Sequence, residues 1–458
     1  MDEFLKIINP ATEELIKEVP VTSEGEVAEA VKRSLGAQVT WDKTSPSYKA
    51  KMLRALADAI SNNREKLGVL ESINVGKPIN DALDEIDAAS EVFYYYAGAV
   101  DKFKGTTVPV DAGVDFTFNE PLGVIGAIVP WNFPLLITTW KVAPALACGN
   151  SVIVKPAEWT PLSAMMLETL AKEVGFVDSL LQVLPGTGSV TGNALVENRD
   201  VSKIAFTGST LVGKKILAKS ANDLKRVTLE LGGKSATLVF RDADLEKAAI
   251  SAPMAVFGNS GQDCCARSRI LVEDSVKEVF IELLVNATKS IKVGDPTDIS
   301  NQLGPVVSAE HLRRVRSFID PIEQGVTVEY QGDKIHDVGY YINPVVLSAP
   351  NQNYKVAREE IFGPVVTVIG FRDEEEAVNM ANGTLYGLSG SIWTSNISKA
   401  LRVARGVKSG TLSINSNSSV RVSTPFGGMN QSGIGRELGM EAMASYSEVK
   451  NVFISTNE

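Results

Sequence analysis

The residues from Pro121 to Pro156 read PLGVIGAIVPWNFPLLITTWKVAPALACGNSVIVKP. Pro121 to Trp140 is a run of twenty residues without a charge, long enough by count alone to cross a bilayer. Three prolines argue against a span. Pro121, Pro130 and Pro134 each remove a backbone donor, and Asn132 sits among them, in a place where hydrocarbon would leave these groups unsatisfied. The alternative is a buried strand (GVIGAIV), a turn (PWNFP), a buried helix (PLLITTWKVAPALACG) and a second buried strand (SVIVK). Strands that are apolar along their whole length are covered on both faces, which is the condition of a parallel sheet built from βαβ units.

The pattern extends in both directions. Downstream come PLSAMMLETLAKEVG, SLLQVLPG, TGNALVEN, KIAFTGS and LVGKKILAKSA, again alternating helical and strand-like. A second alternating series runs RILVE, SVKEVFIELLVNATKSI, VTVEY, YYINPVVL and EEAVNMAN. The first hundred residues are dominated by helical periodicity. Two α/β domains are therefore expected, with no repeat, low-complexity tract or long linker.

With 458 residues, 22% charged and 44% hydrophobic, the chain has the composition of a globular protein with a large core. A formal net charge of −10 argues against nucleic acid or an anionic membrane as partner. Three cysteines give no disulfide framework and suit a reducing cytoplasm. The opening MDEFLKIINP has no basic segment followed by an apolar one, so no signal peptide is expected.

Four stretches carry candidate chemistry. VLPGTGSVTG sets Gly186, Gly188 and Gly192 after a strand and before a helix, and FTGSTLVG does the same with Gly208, Ser209 and Gly213. Neither is the GxGxxG fingerprint. Each is a tight turn or a helix N-terminus able to take a pyrophosphate, and two in successive βα units favour a nucleotide. VIVKPAEWTPL ends a strand at Lys155 and offers Glu158, a carboxylate placed to accept from ribose hydroxyls or else to pair with the lysine. TLELGGKSA puts Glu230 before two glycines, as a general base with a raised pKa or a salt-bridged structural glutamate.

FGNSGQDCCARSR, Phe257 to Arg269, holds Cys264 and Cys265. Asn259, Ser260, Gln262 and Asp263 before them look too polar for core. A nucleophilic thiol is plausible, yet the chain has only His311 and His336 to serve as a base. A helix N-terminus or a cationic cofactor ring would favour the thiolate instead.

Taken together, PWNFP, VKPAEWTP, FTGST, LELGGK, FGNSGQDCCARSR, EEIFGPV and PFGGMNQSGIGRELG resemble the aldehyde dehydrogenase superfamily over essentially the whole chain. The resemblance implies Cys264 as nucleophile, Asn132 as oxyanion donor and Glu230 as general base. It implies NAD rather than NADP, held by Lys155 and Glu158 at the adenosine ribose, Ser209 at the pyrophosphate, and Glu360 and Phe362 at the nicotinamide end. Ile128, Val129, Pro130, Trp131, Gly188, Phe206, Gly208 and Leu231 would line the same cofactor site. It also implies an α/β fold in three parts: a Rossmann-like cofactor domain (1–103 and 122–233), a catalytic domain (234–427) and a small β oligomerisation extension (104–121 and 446–458). A homodimer or homotetramer is implied by that extension. No metal is needed.

The pocket positions implied are Phe133, Trp140, Asp263, Cys265 and Phe426. Succinate-semialdehyde members of the family carry arginines where this chain has Trp140 and Gly258, so a substrate carboxylate lacks an evident partner. Aromatic faces and Asp263 suit an ω-aminoaldehyde or a neutral aliphatic or aromatic aldehyde. Arg267 is the guanidinium that would oppose this reading by reaching the pocket. A succinate-semialdehyde type of enzyme and a non-catalytic member of the fold are the alternatives.

Overall fold

The structure of the chain is a computed structural model that describes residues 3–333, 337–418 and 420–456. Two sheets organise it. The first runs, edge to edge, Gly433–Ile434, Arg226–Glu230, Val201–Thr207, Val124–Ile128, Ser151–Lys155 and Leu181–Val183. All of these are parallel except the short Gly433–Ile434, which pairs antiparallel with Arg226–Glu230. The stretch that could have spanned a membrane by length is the strand Val124–Ile128 followed by the helix Pro134–Ala147. Among the described residues no helix is long and apolar enough to cross a membrane.

The second sheet runs Thr327–Gln331, Val345–Ser348, Val365–Phe371, Arg269–Glu273, Ala236–Val239, Ser389–Trp393 and Thr411–Ile414, parallel throughout except for its first strand. A third sheet is antiparallel: Ser447–Ser455, Gly113–Pro121 and Thr107–Val110. The chain's early helices, Glu24–Asp42, Pro46–Asn62, Arg64–Val75 and Ile79–Ala99, pack against the first sheet and its helices. Trp41, Leu53, Phe93 and Tyr96 share one core with Ile125, Val152, Leu135 and Ala205.

This topology brings two kinds of strand end together. Strands of the first sheet finish at Ile128, Lys155, Thr207 and Glu230, all on one edge because they are parallel. Strands of the second sheet begin at Ala236, Arg269 and Val365, just after Gly232–Gly233, Cys264–Arg267 and Glu360–Gly363. The segment Leu231–Ser235 passes directly from one edge to the other.

Candidate active site

At the end of Val124–Ile128 the chain turns through Val129–Phe133 into the helix Pro134–Ala147, which has no side-chain cap. Two buried carboxylates take that role. Glu71 Oε1 accepts from Leu135 N–H at 3.1 Å, and Glu85 Oε1 from Leu136 N–H at 3.4 Å. Lys77 pairs with Glu85 and lays its ammonium over the Phe133 ring, 4.4 Å from the centroid. Burial, with Glu85 beside it, pushes Glu71 up to about 8. Negative or neutral acceptors at a helix N-terminus satisfy its orphan donors and favour its dipole, so this cluster fixes where Asn132 and Phe133 stand.

Asn132 Nδ2 donates to Gln262 O at 2.8 Å, and its backbone carbonyl accepts from Asn259 Nδ2 at 3.0 Å. One amide hydrogen of Asn132 is thus left over. These bonds tie the Asn132 turn to the cysteine loop. That loop comes after the helix Leu245–Phe257 and takes three successive left-handed residues, Asn259 (φ 51°), Ser260 (φ 57°) and Gly261 (φ 73°). Non-glycine residues held this way store backbone strain and need strong anchoring. Ser260 Oγ donates to Gly304 O at 2.7 Å, Gln262 Nε2 to Asn259 O at 3.0 Å, and Val307 N–H to Gln262 Oε1 at 2.8 Å. A Cβ on Gly261 would lie 2.2 Å from the Gly363 backbone, so glycine is required there.

Asn259, Ser260 and Gln262 are therefore buried, contrary to the expectation that they are too polar for core. Their side chains are spent on backbone groups of a strained turn. Cys264 does not itself open a helix: it lies beyond the C-terminal end of Leu245–Phe257, and a strand comes next.

Cys264 is half-buried and Cys265 buried. No partner is found among the described residues for Cys264 N–H. The Cys265 thiol beside it, together with burial, pushes the Cys264 thiol well above its usual value. Asp263 turns back on the loop, its Oδ1 accepting from Cys265 N–H at 2.8 Å. Arg267 is buried, with its guanidinium on Cys265 O, Ser391 Oγ (3.2 Å) and Asn417 O (3.2 Å).

Glu230, at the last position of its strand, is buried, and neither carboxylate oxygen has a hydrogen-bond partner among the described residues. Burial raises its pKa well above the usual carboxylate range, and Glu437 adds to this while Lys141 and Arg436 oppose it. Lys141 and Glu437 form a buried ion pair. Lys203 donates to Thr228 Oγ1, and burial brings it down to about 7. Lys141 and Lys203 lie far from the adjacent Arg436 and Glu437 in sequence, and only the buried charge of Lys141, Lys203 and Glu437 would have singled the group out.

Around the other glycines, Glu360 Oε1 accepts from Gly233 N–H at 2.9 Å, and a Cβ on Gly232 would lie 2.3 Å from Glu360 Oε2. Phe362 has φ 61°, unusual for an aromatic residue. It packs edge-on to Trp131 at 5.2 Å, and its carbonyl bonds His311 Nε2 at 2.7 Å. His311 is buried and pushed down to about 4 by that burial, with its ring committed to the Phe362 carbonyl. His336 lies outside the described residues.

Glu158 Oε1 accepts from Gly188 N–H at 2.6 Å. Burial lowers Lys155 to about 8, with Glu158 opposing. Ser209 caps Thr210–Ser220 through Val212 N–H at 3.4 Å, and Gly208 leaves no room for a Cβ against the Phe206 ring. Leu231, buried beside Glu230, packs with Ile128 and Phe206. A dinucleotide fits these groups: glycine backbone, a helix N-terminus and a carboxylate line one sheet edge, and Gly232–Gly233 with Glu360 forms a cradle that a side chain would fill.

Of the pocket candidates, Phe133 is half-buried, whereas Trp140 and Phe426 are buried and packed edge-on at 5.3 Å. They stand in one core with Cys265, so the aromatic wall is set mostly behind the surface. Open space faces Gly258: a Cβ there would meet nothing within 4 Å.

The sequence model of the aldehyde dehydrogenase family matches residues 1–452. The chain is 42% identical to retinaldehyde dehydrogenase 3 of Mus musculus over 457 residues, covering 98% of this chain and 89% of that protein. Its structure is similar to that of an NAD+ complex of aldehyde dehydrogenase from Bacillus cereus, with TM-score 0.97 and 40% identity over 99% of this chain and 94% of that one. It is also similar to betaine aldehyde dehydrogenase of Staphylococcus aureus in complex with NAD+, with TM-score 0.96, 37% identity, and 99% and 92% covered.

Proposed function

The chain belongs to the aldehyde dehydrogenase family, and we propose that it oxidises an aldehyde to the carboxylic acid with NAD, through covalent attachment to Cys264. The observation that carries this reading is the meeting of three groups where the two sheet edges face each other. These are a half-buried thiol, an asparagine amide tied to the thiol's own loop, and a buried carboxylate with both oxygens unpartnered.

In this reading Cys264 Sγ attacks the aldehyde carbon. The spare amide hydrogen of Asn132 and the Cys264 N–H receive the oxyanion; loss of one such donor raises a barrier by about 2.7–4 kcal/mol. When bound, NAD takes the hydride that leaves as the thiohemiacetal becomes a thioester. Glu230 then removes a proton from water, which attacks the thioester and releases the acid. The Cys265 thiol and burial favour the protonated Cys264, so the thiol must release its proton to solvent before attack, and the cationic ring of a bound NAD would favour that thiolate. An absorbance assay at the NADH band with a panel of aldehydes tests the reaction; no NADH with any aldehyde sinks it.

Lys155, Glu158, Gly188, Ser209, Glu360 and Phe362 would hold the dinucleotide. Preference for NAD over NADP rests on charge. A 2′-phosphate would bring about two negative charges to Glu158. Glu158→Ser is therefore expected to narrow the ratio of kcat/KM values for NAD and NADP, and equal efficiency with both in the unaltered protein would refute the assignment.

The substrate tail is neutral or cationic in this reading. Arg267 is engaged with Cys265 O, Ser391 and Asn417, and open space rather than a guanidinium faces Gly258. Succinate semialdehyde is expected to show a lower kcat/KM than an ω-aminoaldehyde or neutral aromatic aldehyde of similar length. The opposite ranking, lost selectively on Arg267→Ala, would favour the succinate-semialdehyde type.

The domain limits (1–103 with 122–233, 234–427, and 104–121 with 446–458) belong to the same proposal, as does homo-oligomerisation through the third sheet. Its supports are the sheet boundaries and the exposed Phe118, Val449, Phe453 and Ile454 on that sheet. Three free cysteines support a cytoplasmic setting.

A further inference from the structure

We propose that Asp263, Cys264 and Cys265 form a three-ligand site for a thiophilic divalent cation of the zinc or cadmium type, and that its occupancy shuts the reaction reversibly. The two sulfurs and a carboxylate oxygen all lie within 4.8 Å of one another. Around tetrahedral zinc, with bonds of about 2.3 Å to sulfur and 2.0–2.2 Å to oxygen, ligand atoms stand roughly 3.4–3.8 Å apart. Cys265 is buried beside Trp140 and Phe426, so closing on an ion would turn mainly the half-buried Asp263 and Cys264 side chains.

The backbone beneath is already fixed. Asp263 Oδ1 holds Cys265 N–H at 2.8 Å, and the left-handed Asn259–Gly261 turn holds the loop from behind. Asp263 and Cys264 are half-buried, so an ion can arrive from solvent. Two thiolates with one carboxylate select a soft or borderline ion over magnesium or calcium. Binding displaces two thiol protons to solvent and forms two metal–sulfur bonds and one metal–oxygen bond; nothing is oxidised. Two thiolates and a carboxylate carry three negative charges, and a divalent ion leaves one. The Arg267 guanidinium on Cys265 O favours that residual charge, while the Glu230 and Glu360 carboxylates oppose it.

The inhibitory half of the proposal rests on Cys264 being the nucleophile; the binding half does not. The test therefore reads binding first, with neither aldehyde nor NAD present. Chelator-stripped protein is titrated with Cd²⁺, following thiolate-to-cadmium absorbance and bound metal by equilibrium dialysis, with circular dichroism confirming that each variant is folded.

One ion per chain with the absorbance of two Cd–S bonds is expected, displaced by Zn²⁺ and not by Mg²⁺. Cys265→Ala and Cys265→Ser should each halve the signal and weaken binding by about tenfold or more, at least what loss of a supporting group costs a metal site. Cys148→Ser should change neither, since that half-buried thiol lies elsewhere, against Met443 O at 3.5 Å. Binding unaltered in both Cys265 variants, or abolished by Cys148→Ser, overturns the site. Stoichiometric Cd²⁺ should stop aldehyde oxidation, and a chelator should restore it. Tight two-thiolate binding with full turnover would keep the site but overturn the inhibition, and would remove Cys264 from the reaction.

Discussion

Cys264→Ala is expected to abolish aldehyde oxidation, by ~10⁴-fold or more as when a nucleophile is removed from a covalent catalyst, while NAD binding stays measurable. The choice between neighbouring cysteines rests on their surroundings. Cys265 is 6% exposed and shares a core with Trp140 and Phe426, where a small apolar side chain is what packing asks for. Cys264 is half-buried in the loop whose Gln262 carbonyl holds the Asn132 amide, and its own N–H has no partner among the described residues. Cys265→Ala is expected to cost far less. Stopped-flow NADH absorbance with saturating aldehyde, beside fluorescence titration of NAD, separates loss of chemistry from loss of binding. A dead Cys265→Ala beside an active Cys264→Ala would move the nucleophile by one residue.

The first sheet was legible because its strands are buried on both faces. Val124–Ile128 and Ser151–Lys155 are then continuous apolar runs, and the turn after each run must lie at one edge. Lys155, Gly208 and Glu230 could thus be placed near one another from the sequence. The glycine turns were legible for the same reason, as strand-to-helix corners. The anchoring of the site was not. Glu71 and Glu85 reach the Asn132 turn from helices some fifty to sixty residues earlier, and no local pattern announces a carboxylate that caps another segment's helix. Asn259 and Ser260 misled because polar composition reads as surface, whereas a left-handed buried turn consumes polar side chains to hold its own backbone. His311, in the sequence simply one of two histidines, proved to be a buried ring among Trp131 and Phe362. The preceding helix cannot be the thiolate activator, because the cysteine loop leaves that helix at its C-terminal end.

Glu230→Gln is expected to keep a pre-steady-state burst of NADH, where acylation is fast, and to cut steady-state turnover by about 10²–10⁴-fold, the range of a lost general base. A carboxylate that accepts no hydrogen bond and meets little water is costly to ionise, and burial with Glu437 nearby raises the pKa of Glu230 accordingly. The Lys141–Glu437 pair brings a positive charge that partly offsets this. Only the ionised form can take the proton from water, so deacylation in the unaltered protein should rise with pH from the ordinary carboxylate range upward. That limb should be missing from the variant. The same shift has a stability consequence of definite sign. The folded chain holds the Glu230 proton to higher pH than the unfolded chain, so this group's contribution to stability is lost as pH rises toward its folded value. Glutamine does not titrate, so the thermal midpoint of Glu230→Gln should fall less than that of the unaltered protein as pH rises above the ordinary carboxylate range. Quenched-flow burst amplitudes and thermal melts across pH measure the two effects independently. Wild-type steady-state rates in the variant would take Glu230 out of deacylation, whatever the melts show. A normal burst, slow turnover and a thermal midpoint less sensitive to rising pH together require a buried carboxylate that acts after hydride loss.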